Sequence, residues 1–172
     1  MNTIKTTEPI AKQIDITSFI ATITAHDPLE GYARDIPNGI EIQNFKQVKT
    51  VIKPWGFELW LSDGTGAPYA FKLLYIKKGT KTSLQYHNEK IEHNCLLAGE
   101  MRFHYENSKT KKIASVRLTA GHVITVKPPE VHRVEALTDI ILMEASTAQL
   151  DDVIRLSDDY DRPDGRITAE HE

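Results

Sequence analysis

The sequence predicts an all-β domain, an antiparallel sandwich or barrel, flanked by two segments of different character. Two observations carry this. From Val51 to Ser146, apolar runs of strand length follow one another closely. Turn-forming residues separate them, at Ser62-Asp63-Gly64-Thr65-Gly66, Gly79, Gly99, Glu106-Asn107-Ser108, Ala120-Gly121 and Pro128-Pro129. No internal repeat or low-complexity tract interrupts the series.

Taken in order, residues 1–48 read as an extension packed on the main domain or on a partner subunit. Ile14, Ile16, Phe19, Ile20 and Ile23 fit neither a helix nor a strand cleanly, although Ser18 can cap a short helix over 19–25. Asp27-Pro28 and Ile36-Pro37-Asn38-Gly39 then mark turns. The main domain spans 49–147. Its strands are expected at 57–61, 69–77, 82–87, 91–98, 100–106, 112–118, 122–126, 131–136 and 139–146. In the tail, 148–172, Leu150, Val153, Ile154 and Leu156 lie near helical spacing, and Asp151-Asp152 suit a first helical turn, so a short C-terminal helix is expected.

Composition narrows the function. The 172 residues are 40 % hydrophobic and 26 % charged, as in a globular chain with a substantial core. A formal charge of −3 offers no broad basic surface for nucleic acid or anionic lipid. The single cysteine, Cys95, excludes an internal disulfide and a multi-cysteine zinc module; its apolar neighbours mark it as a small buried hydrophobe rather than a catalytic thiol. Met1–Glu8 lack the pattern of a signal peptide, and no run approaches the roughly 20 apolar residues of a membrane span. The expected location is the cytoplasm.

The chemistry concentrates between Gly79 and Gly99. Gln85 and His87, two apart on one strand, point to the same face, and Glu92 on the returning strand can meet them. If Glu92 points inward, His93 and Cys95 point outward. His132 follows on a later strand, so in a closed barrel Gln85, His87, Glu92 and His132 can converge. Two imidazoles, a carboxylate and an amide oxygen suit one divalent ion, Zn²⁺, Mn²⁺, Co²⁺, Ni²⁺ or Fe²⁺.

The spacing Gly79, five residues, Gln85-x-His87, four residues, Glu92, six residues, Gly99 resembles the first motif of the cupin superfamily, with Gln85 standing where many members have His. Gly121, followed eleven positions later by His132, resembles the second motif. There Lys127 replaces the motif's proline, Pro129 its glycine and Ala136 its asparagine, which predicts a stiffer loop and a reshaped site mouth. Lys53-Pro54-Trp55-Gly56-Phe57-Glu58, Phe71-Lys72, Ser83-Leu84-Gln85, Glu92-His93, His132-Arg133 and the tail from Asp151 to Arg162 resemble the cupin domain of type II mannose-6-phosphate isomerases. The likeness covers 51–162. It departs at Asn88-Glu89, where the family has a His-rich run, at Lys90 for an Arg and at Asn94 for a Trp, positions that bear on which sugar is bound. The 172 residues hold no Gly-rich phosphate loop, so sugar-nucleotide synthesis is not expected of them.

The resemblance implies a cupin-type β-barrel (a double-stranded β-helix, or jelly roll), one divalent metal on Gln85, His87, Glu92 and His132, with zinc or manganese favoured, and a homodimer. It implies an aldose–ketose isomerase acting on a sugar or sugar phosphate through an enediol. Lys72, in phase with Leu74 and Ile76, is the candidate acid/base or oxygen-positioning group, with a plain rim lysine as the alternative. Glu135 is a weaker candidate base, since its parity opposes that of His132. Lys90, Arg133 and Arg155 are candidates for the phosphate, though Arg155 can equally pair with Asp151 on a helix. Two other functions suit the ligand set: a mononuclear iron cupin dioxygenase, and a non-catalytic sugar-binding cupin. Pro54 and Trp55 are expected to close one barrel end, and Tyr86 to face outward.

Overall fold

A computed structural model describes residues 45–166 continuously, together with Ala21, Pro37 and 39–43. The expected helix over 19–25 and most of the extension 1–48 lie outside the described residues, Ala21 apart.

Twelve strands make up the described chain: β1 (Lys49–Lys53), β2 (Gly56–Asp63), β3 (Tyr69–Ile76), β4 (Leu84–Tyr86), β5 (Glu92–Ala98), β6 (Glu100–Glu106), β7 (Ile113–Thr119), β8 (Val123–Val126), β9 (His132–Ala136), β10 (Ile140–Thr147), β11 (Ile154–Ser157) and β12 (Gly165–Arg166). They form two six-stranded antiparallel sheets, ordered β1-β2-β3-β10-β5-β8 and β12-β11-β4-β9-β6-β7. Many neighbours are far apart in sequence, as when β10 lies between β3 and β5. The fold is the all-β barrel that the sequence predicts.

Two glycines are required by close approach. At Gly56, with φ +156°, a Cβ would come 1.9 Å from the Tyr75 carbonyl oxygen. At Gly99, with φ +83°, it would come 2.2 Å from that of Asp139. Both sit at starts of strands where the backbone crosses a neighbour tightly, and only glycine leaves room.

The core between the sheets comprises Trp55, Leu74, Ile76, Leu96, Met101, Phe103, Val134, Ala136, Ile140 and Leu142 among others. A second cluster, Leu59, Leu73, Ala98 and Ile141, lies on the outer face of the first sheet beneath Phe45, Val48, Phe57 and Leu61. Cys95, half-buried, pairs with Met143 and Val123 on that outer side.

The tail corrects one expectation. Ile154–Ser157 is not a helix but β11, paired with β4 and β12. Val153 and Arg155 are buried while Leu156 is exposed, a period of two whose second inward residue is charged. Apolar spacing alone could not reveal it, because an arginine occupies the inward position.

Candidate metal centre

One end of the barrel is apolar and the other polar, and the alternation of each strand explains how. On β3 the inward residues run Lys72, Leu74, Ile76; on β5, Glu92, Asn94, Leu96; on β9, His132, Val134, Ala136; on β10, Ile140, Leu142, Glu144. The polar members gather around a cavity of about 80 Å³.

His87, Glu92 and His132 meet beside it, all buried, with one ligand atom from each within 4.8 Å of the others, and Glu92 and His132 line the cavity itself. Glu92 opens β5 and His132 opens β9, while His87 follows the end of β4. Glu92 Oε1 lies 3.1 Å from His87 Nε2, and Oε2 lies 3.5 Å from His132 Nε2. Gln85, the register partner of His132, lines the same cavity and accepts a hydrogen bond from Ser83 Oγ at 2.7 Å.

The far nitrogens fix the tautomers. His87 Nδ1 meets the Asp152 carbonyl, and His132 Nδ1 the Glu130 carbonyl at 3.0 Å. Both carbonyls accept, so each Nδ1 carries a hydrogen and each Nε2 faces Glu92. Burial lowers the His132 pKa, but the facing Glu92 carboxylate outweighs it and raises it. His87 Nε2 is buried and makes no hydrogen bond. An imidazole nitrogen buried 3.1 Å from a carboxylate oxygen calls for a positive charge between them, which a proton or a metal cation supplies. The residues therefore fit a metal ion: two neutral imidazoles, a carboxylate and an adjacent amide are hard-to-borderline donors for a divalent ion.

Asp152 organises this approach, a role that its expected position in a first helical turn does not suggest. Its carboxylate accepts the backbone N–H groups of Asn88, Glu89 and Lys90, at 3.1, 2.6 and 2.9 Å, and the Asn88 amide at 3.2 Å. Burial opposes its charge, but these donors outweigh burial and hold its carboxyl below the ordinary range. One residue thus fixes the turn after His87 with its side chain and the His87 ring with its carbonyl.

Lys90 does not stand at the mouth as a phosphate ligand. It is buried on the cavity floor, with Nζ 2.6 Å from Glu92 Oε1 and 2.9 Å from Glu144 Oε1. Burial by itself would depress its pKa; Glu144 and Glu92 more than reverse that and hold it charged. For Glu92, burial raises the pKa, but Lys90 and the two imidazoles win and keep it well below the usual value. Asn94 adds a hydrogen bond to Glu92 Oε2 at 3.3 Å.

Lys72 lines the same cavity. Its Nζ sits 4.1 Å from the centre of the Trp60 ring and 3.5 Å from Glu58 Oε2, which also accepts Trp60 Nε1 at 2.7 Å. It is a buried group facing the site rather than a rim lysine.

The two remaining arginines are placed elsewhere. Arg133 donates to the Thr82 carbonyl and to Asp159, each at 2.7 Å, and does not line the cavity. Arg155 is 1 % exposed and donates to the Pro163 carbonyl at 2.7 Å, also outside the lining; its carboxylate neighbour is Asp158, not Asp151. The lining cation of the tail is Arg162, held by Asp158 at 2.6 Å. Glu135 turns outward to His104 and Arg102, 2.7 and 3.3 Å away. Residues 127–129, with a cis Pro128-Pro129 bond, do not line the cavity. Trp55 packs in the inner core, closing the space beneath the site.

Among the described residues no helix is long and apolar enough to cross a membrane. No curated protein sequence matches the chain. Solved structures do match. CapF, the capsular polysaccharide assembling protein of Staphylococcus aureus, is 14 % identical with a TM-score of 0.56, over 64 % of this chain and 34 % of that one. The oxalate decarboxylase of Lactobacillus farciminis, in its formate complex, is 16 % identical with a TM-score of 0.57, over 76 % and 41 %. That of Bacillus subtilis is 14 % identical with a TM-score of 0.57, over 68 % and 33 %. The chain thus spans about a third to two fifths of these structures. At such identities the likeness is one of fold, the cupin barrel. The model of the family described as mannose-6-phosphate isomerase C-terminal matches residues 41–158, and to that family the chain belongs.

Proposed function

We propose that this protein is a metal-dependent aldose–ketose isomerase acting on a sugar or sugar phosphate through an enediol. The observation that carries the reading is the buried His87–Glu92–His132 donor set, in a chain of this family, two of whose members line a cavity richer in cations than carboxylates. Lys53, Lys72, Lys90 and Arg162 line it against Glu58, Glu92 and Glu144. Such a cavity favours a ligand that is anionic or becomes so during reaction.

A divalent metal on His87, Glu92 and His132, with Gln85 beside them, supplies Lewis acidity toward neighbouring carbonyl and hydroxyl oxygens. Zinc or manganese is favoured, and cobalt, nickel or iron suit the same donors. The chain's own groups do the rest. The Lys72 ammonium, fixed over Trp60 and beside Glu58, meets the negative charge that develops on the substrate oxygen. Lys90 keeps Glu92 charged and in place. The cavity is small against the 300–1,000 Å³ of common ligand pockets, so the reacting end of the sugar enters while its anionic end stays at the mouth near Arg162. Arg133 and Arg155 act at a distance, by holding the strand and tail that frame the mouth. A homodimer in the cytoplasm completes the reading, with the outer face of the first sheet as contact; Ile52 and Val123 are exposed there.

The test begins with metal per chain, measured by mass spectrometry on protein purified without added metal or chelator. Near one equivalent is expected. Mannose 6-phosphate and fructose 6-phosphate are then tried, followed by other hexose and pentose pairs, phosphorylated and free. Failure to interconvert any pair with metal bound refutes the isomerase. Iron with substrate-dependent oxygen uptake would replace it by an oxygenase, and tight sugar binding without exchange of the C2 proton by a binding module.

A further inference from the structure

We propose that Glu144 is the proton-transferring base of this site, an inference that rests on the isomerase reading above. Glu144 sits at the centre of the first sheet on β10, with Lys72 of β3 and Asn94 of β5 as register partners on either side. Its side chain is 9 % exposed and lines the cavity. One oxygen, Oε1, accepts from Lys90, whose other carboxylate partner is Glu92 Oε1. A single ammonium therefore fixes the distance between the metal-ligating carboxylate and this second one. The remaining oxygen, Oε2, accepts no hydrogen bond among the described residues. Glu144 is thus anchored by one oxygen and has the other available to a ligand.

The other carboxyl groups are less suited. Glu92 is engaged on both oxygens, by Lys90 and Asn94, and faces both imidazoles. Glu58 accepts from Trp60 Nε1 and pairs with Lys72. Glu135 lies outside. Lys72 and Lys90 are ammonium groups in contact with carboxylates, which suits them to hold negative charge rather than to take up a proton.

The step balances as follows. Glu144 Oε2 takes the proton from C2 of the aldose, the C2–H electron pair becomes the C1–C2 double bond, and the carbonyl π electrons move to O1. The Lys72 ammonium meets the charge on O1, which is then protonated from water. In the second half the O2 hydroxyl releases its proton to water and its electrons form the C2–O2 double bond. The enediol electrons take the proton back from Glu144 at C1. The carboxylate is regenerated, and nothing is oxidised or reduced overall.

The experiment uses the full chain loaded with manganese or zinc, mannose 6-phosphate as substrate, and D₂O as solvent, with deuterium at C1 of the ketose followed by NMR. Wild-type protein should isomerise and incorporate solvent deuterium. Glu144→Gln keeps the shape and the acceptor to Lys90 but cannot hold the proton. It should lose at least about 100-fold in kcat and in deuterium incorporation, with KM and metal per chain changing less than about threefold. Glu144→Asp should recover part of the rate. Wild-type turnover with an unimpaired Glu144→Gln overturns this assignment and leaves the isomerase standing. Loss of metal from Glu144→Gln also overturns it, by making Glu144 a buttress of Lys90. A wild-type protein that neither isomerises nor exchanges overturns both.

Discussion

Replacing Lys90 with methionine should weaken the fold and tighten the metal site at once. Lys90 is 3 % exposed, and its ammonium contacts Glu92 at 2.6 Å and Glu144 at 2.9 Å. Methionine fills similar volume but leaves the buried Glu144 without its ammonium partner and Glu92 facing only the two imidazoles and Asn94. Breaking a buried ion pair in this way costs about 3–5 kcal/mol. For a domain of this size, with roughly 4 °C lost per kcal/mol, the metal-free Tm should fall by about 12–20 °C. A divalent ion sees the opposite balance. In the wild type it must share Glu92 Oε1 with an ammonium; in K90M that repulsion is gone. Metal should therefore bind roughly tenfold more tightly, about 1.4 kcal/mol, and raise the Tm of the variant more than that of the wild type. The double variant K90M/E144L removes the stranded carboxylate and should recover part of the lost Tm. Thermal melts of chelated and manganese-loaded protein, with competition titrations for affinity, decide the matter. A K90M protein with an unchanged metal-free Tm, or with weaker metal binding, would show that the cavity's charge balance does not run through Lys90.

Other perturbations separate the metal site from its supports. H132A and E92A should each abolish metal binding while the fold mostly survives; full metal content in both, by mass spectrometry, would refute the site. D152A removes the acceptor for three backbone N–H groups beside His87 and should weaken metal 10–100-fold by calorimetric titration, whereas unchanged affinity would mean that His87 is oriented otherwise. R155A should cost roughly 2–4 kcal/mol of stability by losing a buried packing and hydrogen-bonding anchor while leaving metal affinity alone; an unchanged Tm would count against it. Asp158 supplies a pH test. Burial raises its pKa, but Arg162 and the Tyr160 N–H prevail and hold it below the reference 3.8. A group lowered on folding stabilises fully above its unfolded value and loses that contribution as pH falls through the lower native one. D158N should therefore flatten the fall in Tm below about pH 4; a slope equal to the wild type's would remove Asp158 from the account.

The strands were legible because their inward residues are apolar and their turns carry glycine. Gly99 ends the run Cys95–Ala98, and the backbone crowding at Asp139 explains why nothing larger can stand there. The parity of β5 could also be read ahead, since fixing Glu92 inward sends His93 and Cys95 outward. The tail was not legible. Its apolar spacing allowed a helix because β11 turns an arginine inward, and a hydrophobic pattern counts that position as surface. Likewise Asp152 looked like a helix-starting acid, whereas its partners lie more than sixty residues away in the turn after His87. A contact at that separation leaves no local trace.

The candidate metal donors are legible through their spacing between Gly79 and Gly99 and after Gly121, whereas the charged groups around them are not. Lysine and glutamate on a strand are ordinarily solvated, so nothing local in the sequence marks Glu58, Glu144 or Lys90 as buried. A signal was nonetheless present. Lys72 is in phase with Leu74 and Ile76, and Glu144 with Leu142 and Ile140, each charged residue continuing a buried row at one end. One such residue would be a costly defect. Lys72, Glu144 and Asn94 lie side by side across three adjacent strands, and cations alternate with carboxylates around them. The charges therefore compensate one another as a layer. Burying that layer beside the His87–Glu92–His132 donors forgoes the apolar packing that the same positions take up further along each strand. Stability alone does not call for it, and a site that must hold a developing oxyanion does.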